Sequence, residues 1–187
     1  MGKIGECKII SKAQDLTIDC SELGEITFDV SYGGNYYAII DPQQNFSGVQ
    51  DFTASKLIQY SQIMRKSINQ KYPDMFIHPE NETIRDVSHL LWTGTPLDPT
   101  SSGRNAVFYG DKAINVARPC GTGTSARIAQ LHAKGKLKMG EDFIHEELYW
   151  QVNLSGELWK KLLSEISLPS YQVFKVTKIL WLQYHYY

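Results

Sequence analysis

The sequence predicts an α+β fold built on a mixed or mostly antiparallel sheet, and three observations carry that reading. The first 41 residues read as strands, with period-two alternation in Leu16 to Cys20 and Ile26 to Val30, the stretch from Phe52 to Tyr72 switches to helical spacing, and β-rich runs resume after it. Lys8-Ile9-Ile10 and Leu16 to Cys20 read as strands, and Ser21-Glu22-Leu23-Gly24 as a turn. Ile26 to Val30 alternates again, and Tyr36 to Ile40 is a β-rich run ended by Asp41-Pro42. Between the last two, Gly33-Gly34-Asn35 is either a hairpin turn needing positive φ or a place where another backbone comes close.

In the helical stretch Leu57, Ile58, Tyr60, Met64 and Ile68 recur at three- and four-residue steps, a stripe suited to packing on a sheet, and Pro73 closes it. Phe76-Ile77, Val87 to Trp92 and Ala106 to Tyr109 read as further strands, the last two separated by the loop Pro96 to Gly103. After residue 146 the composition changes: Trp150, Trp159 and Trp181 cluster there, and Leu148 to Leu163 has the spacing of a helix.

Composition bounds the function. The chain has 187 residues, 42% hydrophobic and 21% charged, enough for one good-sized domain or two small ones. A net charge of -1 provides no electrostatic footprint for nucleic acid or an anionic membrane. No apolar run approaches the roughly 20 residues of a membrane-spanning helix. Met1 to Glu6 carry no signal-peptide core, so the expected compartment is cytoplasmic. Cys7, Cys20 and Cys120 are too widely spaced for a disulfide framework or a zinc site, and His78, His132, His145 and His185 form no metal-ligand spacing; no metal is expected.

Chemistry concentrates in Arg118-Pro119-Cys120-Gly121-Thr122-Gly123-Thr124-Ser125 and the helix expected behind it, from Ala126 to a stop at Gly135, with Thr124 or Ser125 as its cap. Cys120 then stands just before a helix N-terminus on a loop without bulky side chains. Backbone N–H groups there can hold a carboxylate or phosphate, and the positive helix end favours thiolate. One reading is a thiolate base or nucleophile beside an anion cradle; the other is a buried cysteine in a tight turn. No Gly-Lys-Ser/Thr follows, so this is not a P-loop. A Cys–His hydrolase pair would need a histidine that nothing in the sequence fixes.

Pro119 to Arg127, with Gln130-Leu131-His132-Ala133-Lys134-Gly135 behind, closely resembles the second cysteine motif of the proline racemase family, which includes proline racemases, 4-hydroxyproline 2-epimerases and trans-3-hydroxyproline dehydratases. Supporting blocks follow in family order: Asp29 to Ile39, His78-Pro79-Glu80, Ser102-Gly103-Arg104-Asn105 and Gly140 to Glu146. The resemblance implies one lobe of a diaminopimelate-epimerase-like fold, a mixed or antiparallel sheet curled around a central helix. It implies cofactor-free racemisation or epimerisation at Cα of proline or 4-hydroxyproline, with a thiolate taking the proton from one face and a thiol delivering one to the other. By resemblance Cys120 is one acid/base, Gly121 and Thr122 hold the substrate carboxylate through backbone N–H groups, and His89 reaches the substrate region. Cys at position 120 argues against the dehydratases, which generally carry Thr there.

The sequence also departs from the family. The partner motif Met-Cys-Gly-His is absent, and Cys7 and Cys20 read as structural. Val116 stands where members commonly place Asp. The domain expectation is a second lobe over residues 1–146 with an incomplete start, and a non-family tail over 147–187. Reading residues 156–175 through the genetic code in a displaced frame yields a stretch similar to the family tail, which points to a frameshift just after Glu146 or Glu147. A catalytically inactive fragment, at most a weak binder of small carboxylates, is the competing functional expectation. An exposed interlobe face further predicts self-association.

Overall fold

The computed structural model describes residues 13–109, 112–113, 120–138, 141–147 and 151–154. Strands β1 (Ala13–Asp19), β2 (Glu25–Tyr32) and β3 (Tyr36–Ile40) form where the alternating runs predict them, with Ser21–Leu23 as a 3-10 turn between the first two. Helix α1 (Ala54–Lys71) follows, capped by Thr53, whose side-chain oxygen accepts from the Lys56 N–H at 3.3 Å. Then come the short hairpin β4 (Ile77–His78) and β5 (Asn81–Arg85), and strands β6 (Val87–Gly94), β7 (Gly103–Tyr109) and β8 (Lys112–Ala113). Helix α2 (Gly121–Ala133) leads to β9 (Phe143–Glu147) and β10 (Gln151–Leu154).

The main sheet runs β1-β2-β3-β6-β7-β9-β10, with β8 paired to β7. It is mixed, as expected: β3–β6 and β7–β9 are parallel, and the other neighbours are antiparallel. Parallel neighbours need a long crossover. Helix α1 lies on the first crossover and α2 on the second.

The two helices cover opposite faces, and side-chain parity shows it. Tyr36, Ala38, Ile40, Leu90, Trp92, Ala106 and Phe108 share a core with Leu57, Tyr60, Met64 and Ile68 of α1. Tyr37, Ile39, Leu91 and Val107 point the other way and pack with Cys120 and Ala126. Coverage on both faces explains why β3 and the middle of β6 read as continuous apolar runs rather than alternating ones. Each fully buried large side chain, such as Trp92 or Met64, contributes about 1.5–3 kcal/mol by leaving water. Trp92 also donates its indole N–H to Ser61 on α1 at 2.8 Å.

Strands β8 and β9 are not among the strands expected, and two further elements differ from expectation. Asn81–Arg85 pairs with the short strand before it although its side chains are almost all exposed, so no apolar alternation marks it. Gln151–Leu154, within the stretch Leu148 to Leu163 that has the spacing of a helix, is a strand paired to β9 from Gln151↔Glu146 to Leu154↔Phe143. The ladder offered by β9 satisfies backbone groups that a weakly amphipathic helix would leave to its own ends. The strand expected at Lys8–Ile10 and the stretch 155–187, with the expected frameshifted tail, lie outside the described residues. Among the described residues no helix is long and apolar enough to cross a membrane.

Candidate functional site

Helix α2 begins earlier than its apolar pattern suggests. Gly121 is already helical, Cys120 is the N-cap residue, and the Thr124 N–H reaches the Cys120 carbonyl at 2.9 Å. Thr124 and Ser125 are therefore inside the helix and cannot cap it. Their hydroxyls donate back to the carbonyls of Cys120 (3.0 Å) and Gly121 (2.9 Å), and the Cys120 side chain makes no capping hydrogen bond. The N–H groups of Gly121, Thr122 and Gly123 have no acceptor within the helix, as helical geometry requires. A Cβ at Gly121 would meet nothing within 4 Å, so this corner of the first turn is open. At its other end the helix stops at Gly135, whose φ of 68° is left-handed.

The tip of the β2–β3 hairpin lies against this same turn. Gly34 has φ 118°, and a Cβ on Gly33 would lie 2.5 Å from the Ala126 nitrogen and nearer still to the Thr122 carbonyl oxygen. Both sequence readings of Gly33-Gly34-Asn35 hold together: it is a hairpin turn and a close approach of two backbones. That contact fixes where the start of α2 sits over the sheet.

Cys120 is 8% exposed, in contact with the apolar layer under α2. Its Sγ lies 3.5 Å from the Tyr37 hydroxyl and 3.8 Å from the Thr122 hydroxyl, and those two hydroxyls are 2.6 Å apart. A Cβ at Gly123 would press on Cys120 Sγ (3.2 Å) and on the Tyr37 ring (3.4 Å), so the bare glycine gives both room. His89, opposite Tyr37 across the parallel β3–β6 ladder, stacks on the Tyr37 ring at 4.7 Å and has Tyr109 at 4.9 Å. Its Nδ1 lies 2.6 Å from the Ser88 hydroxyl. Burial, aided by the Arg65 charge, pushes the His89 pKa down to about 4, so the ring is neutral at physiological pH. Thus the structure brings Cys120, Gly121 and Thr122 together, and His89 joins them through the Tyr37 ring.

Cys20 is different. It is wholly buried in the α1-side core, and burial, with Asp19 and Glu22 nearby, pushes its thiol up to about 12. Cys7 and Val116 lie outside the described residues. Among the described residues no group of three or more His, Cys, Asp or Glu side chains could hold a metal ion.

Behind the first turn, α2 is bolted to the sheet by a polar network that sequence reasoning missed. Gln130 donates to Asp29 Oδ2 (2.5 Å) and Asp41 Oδ2 (3.2 Å) and accepts from Arg127; Arg127 pairs with Asp41 Oδ1 at 2.7 Å, and Lys134 with Asp29 Oδ2 at 2.5 Å. Asp41 Oδ1 also accepts from the Thr93 hydroxyl at 2.8 Å, and Asp29 Oδ1 from the Asp15 N–H at 2.9 Å. Burial raises the Asp41 pKa, but the Arg127 charge and the hydrogen bonds from Thr93, Arg127 and Gln130 outweigh it and hold the carboxyl below its ordinary range. The available signal was Arg127, Gln130 and Lys134 at steps of three and four on one helix face, opposite Asp29 in β2 and Asp41 just after β3.

The proline racemase family model matches residues 4–151. The chain is 55% identical over 146 residues to a 4-hydroxyproline 2-epimerase of Spirosoma linguale, covering 78% of this chain and 43% of that protein. It is 56% identical over 136 residues to a 4-hydroxyproline 2-epimerase of Ancylobacter novellus, covering 73% of this chain and 40% of the other. Among solved structures, a hydroxyproline epimerase from Agrobacterium vitis with bound trans-4-hydroxy-L-proline superposes with TM-score 0.64 at 29% identity, covering 78% of this chain and 42% of the other. A probable proline racemase from Agrobacterium radiobacter K84 with bound carbonate has TM-score 0.62 at 29% identity, covering 77% and 42%. The chain spans about two fifths of the length of the curated relatives it matches.

Proposed function

The chain belongs to the proline racemase family, and from that premise we propose that its site serves cofactor-independent racemisation or epimerisation at Cα of proline or 4-hydroxyproline, with Cys120 as one of the two acid/base groups. One observation carries the proposal: Cys120 Sγ stands at the N-cap of α2, beside the first-turn N–H groups of Gly121 and Thr122. A Cα proton is very weakly acidic, and removing it drives negative charge onto the adjacent carboxylate. N–H groups and the positive helix end directed at that carboxylate stabilise the charge as it develops. Gly121 and Thr122 are assigned to the carboxylate, and neutral His89 walls the same side through Tyr37. The names of the two relatives, and the ligand in the Agrobacterium vitis structure, support 4-hydroxyproline as substrate.

A second reading is favoured by one sequence observation: neither Cys7 nor Cys20 has a glycine cradle like that of Cys120. Inversion needs an acid on each face of Cα. On this reading the chain alone binds small carboxylates and does not invert them.

Both readings require a carboxylate beside the thiol. Iodoacetamide modification of Cys120, followed by peptide mass spectrometry, is expected to slow several-fold with trans-4-hydroxy-L-proline present and not with 3-hydroxypyrrolidine, which lacks the carboxylate. Equal rates with and without the amino acid would contradict the assignment. Cys20, with its thiol near 12, is the internal control that stays unmodified at neutral pH.

A further inference from the structure

We infer that the Tyr37 hydroxyl is a two-way positioning partner of the Cys120 sulfur, donating a hydrogen bond to the thiolate and accepting one from the thiol, while the Thr122 hydroxyl reverses its own role to match. The inference rests on the reading of Cys120 as an acid/base, because only a sulfur that alternates between two protonation states needs a partner for each.

The three atoms form a closed triangle, with Tyr37 Oη 2.6 Å from Thr122 Oγ1 and 3.5 Å from Cys120 Sγ, and with 3.8 Å between the last two. Each hydroxyl has one proton to give and lone pairs to receive. A thiolate accepts only. In that state Tyr37 directs its proton at sulfur, and Thr122 directs its own at the Tyr37 oxygen. When the Cα–H bond breaks, its proton forms the S–H bond and its electron pair stays with the substrate. The S–H then points at the Tyr37 oxygen, and the Tyr37 O–H swings to Thr122 Oγ1. Neither hydroxyl loses its proton; only the direction of the chain reverses.

The surroundings hold the Tyr37 oxygen where both bonds are made. The residue is 0% exposed, His89 stacks on its ring with 27° between planes, and Gly123 leaves its ring edge room. Behind His89 lies Tyr109, with the Arg65 guanidinium 5.6 Å from that ring. So the group nearest Tyr37 from β6 is neutral and the nearby charge from α1 is positive. Burial matters energetically, because water is poorly placed to replace either partner and an unmade hydrogen bond there is costly.

The test follows the protonation of Cys120 directly, by its 13Cβ chemical shift against pH in the full chain without substrate. Tyr37→Phe removes the donor to the thiolate, so the titration midpoint is expected to move up by about one pH unit, a tenfold loss of thiolate at a fixed lower pH. Thr122→Val leaves the direct Tyr37 donor to the thiolate in place; the thiol state loses its outer acceptor and the thiolate state loses the Thr122 donor behind Tyr37. Because each state loses one outer hydrogen bond, its midpoint is expected to move much less than that of Tyr37→Phe, and Thr122→Ser to match the parent. A large upward move confined to Tyr37→Phe is what a merely loosened site would not produce. A midpoint unchanged in folded Tyr37→Phe, or an equal upward move in Thr122→Val, overturns the inference. The readout involves no turnover, so absence of Cα exchange would count against the proposed reaction and not against this hydrogen-bond chain.

Discussion

Alanine at Gly33 is expected to destabilise the protein by about 3 kcal/mol, at the upper end of what overpacking costs. The added Cβ would stand 2.5 Å from the Ala126 nitrogen and closer to the Thr122 carbonyl, and both are backbone atoms of α2. A flexible side chain can rotate away from such a contact. A helix turn cannot, so the hairpin tip and the start of α2 must separate, and Cys120 moves with them. Gly121→Ala is the matched control: the same change one residue after the thiol, with nothing within 4 Å of the new methyl, expected within about 0.5 kcal/mol of the parent. Urea denaturation of the two variants decides it. Equal midpoints would mean that the hairpin does not seat the helix.

The second large effect is expected at Asp41. Asp41→Asn removes the negative partner of Arg127, whose side chain is 13% exposed while that of Asp41 is 31% exposed, and is expected to cost about 2 kcal/mol at neutral pH, less than breaking a fully buried pair. Adding Arg127→Met removes the uncompensated charge and is expected to restore more than half of the loss; full additivity of the two single losses would contradict the coupling. The pH dependence has a fixed sign. The folded carboxyl lies below its ordinary 3.8, so its stabilisation is present above that value and is lost as pH falls through the folded value. The acid limb of the parent's stability curve should therefore be steeper than that of Asp41→Asn. Because Arg127, Gln130 and Lys134 bind Asp29 in β2 and Asp41 just after β3 from one helix face, this loss also loosens the base on which the Cys120 turn stands.

What the sequence made legible, and what it hid, follows from the layering. Tyr36 to Ile40 and Val87 to Trp92 were plain as strands because both faces are covered and nearly every side chain is apolar. The same double burial hid Tyr37: in a continuous run nothing distinguishes the residue under α1 from the one whose hydroxyl reaches the thiol. In β2 the alternation Ile26, Phe28, Val30 was legible, but not what its polar phase faces. Asp29 is 3% exposed because that phase faces α2. Cys120 at a helix start was legible from its glycines and from family resemblance. Yet the helix starts at Gly121, since a pattern of apolar residues cannot show a first turn made of glycine and threonine. Strand Gln151–Leu154 was hidden for another reason: a short edge strand is specified by the partner it pairs with, here β9, more than by its own four residues.

The central claim is that Cys120 exchanges the Cα proton of a carboxylate held at the start of α2. Its most direct test is proton NMR of trans-4-hydroxy-L-proline, and of L-proline, in D2O with the purified protein beside Cys120→Ala. The account predicts loss of the Cα proton signal with the parent and none with the variant. Accompanying cis-4-hydroxy-D-proline would show that both faces of Cα are served, and deuteration without it that Cys120 works from one side. Exchange that persists in Cys120→Ala, or no exchange with a parent protein shown to be folded, would contradict it.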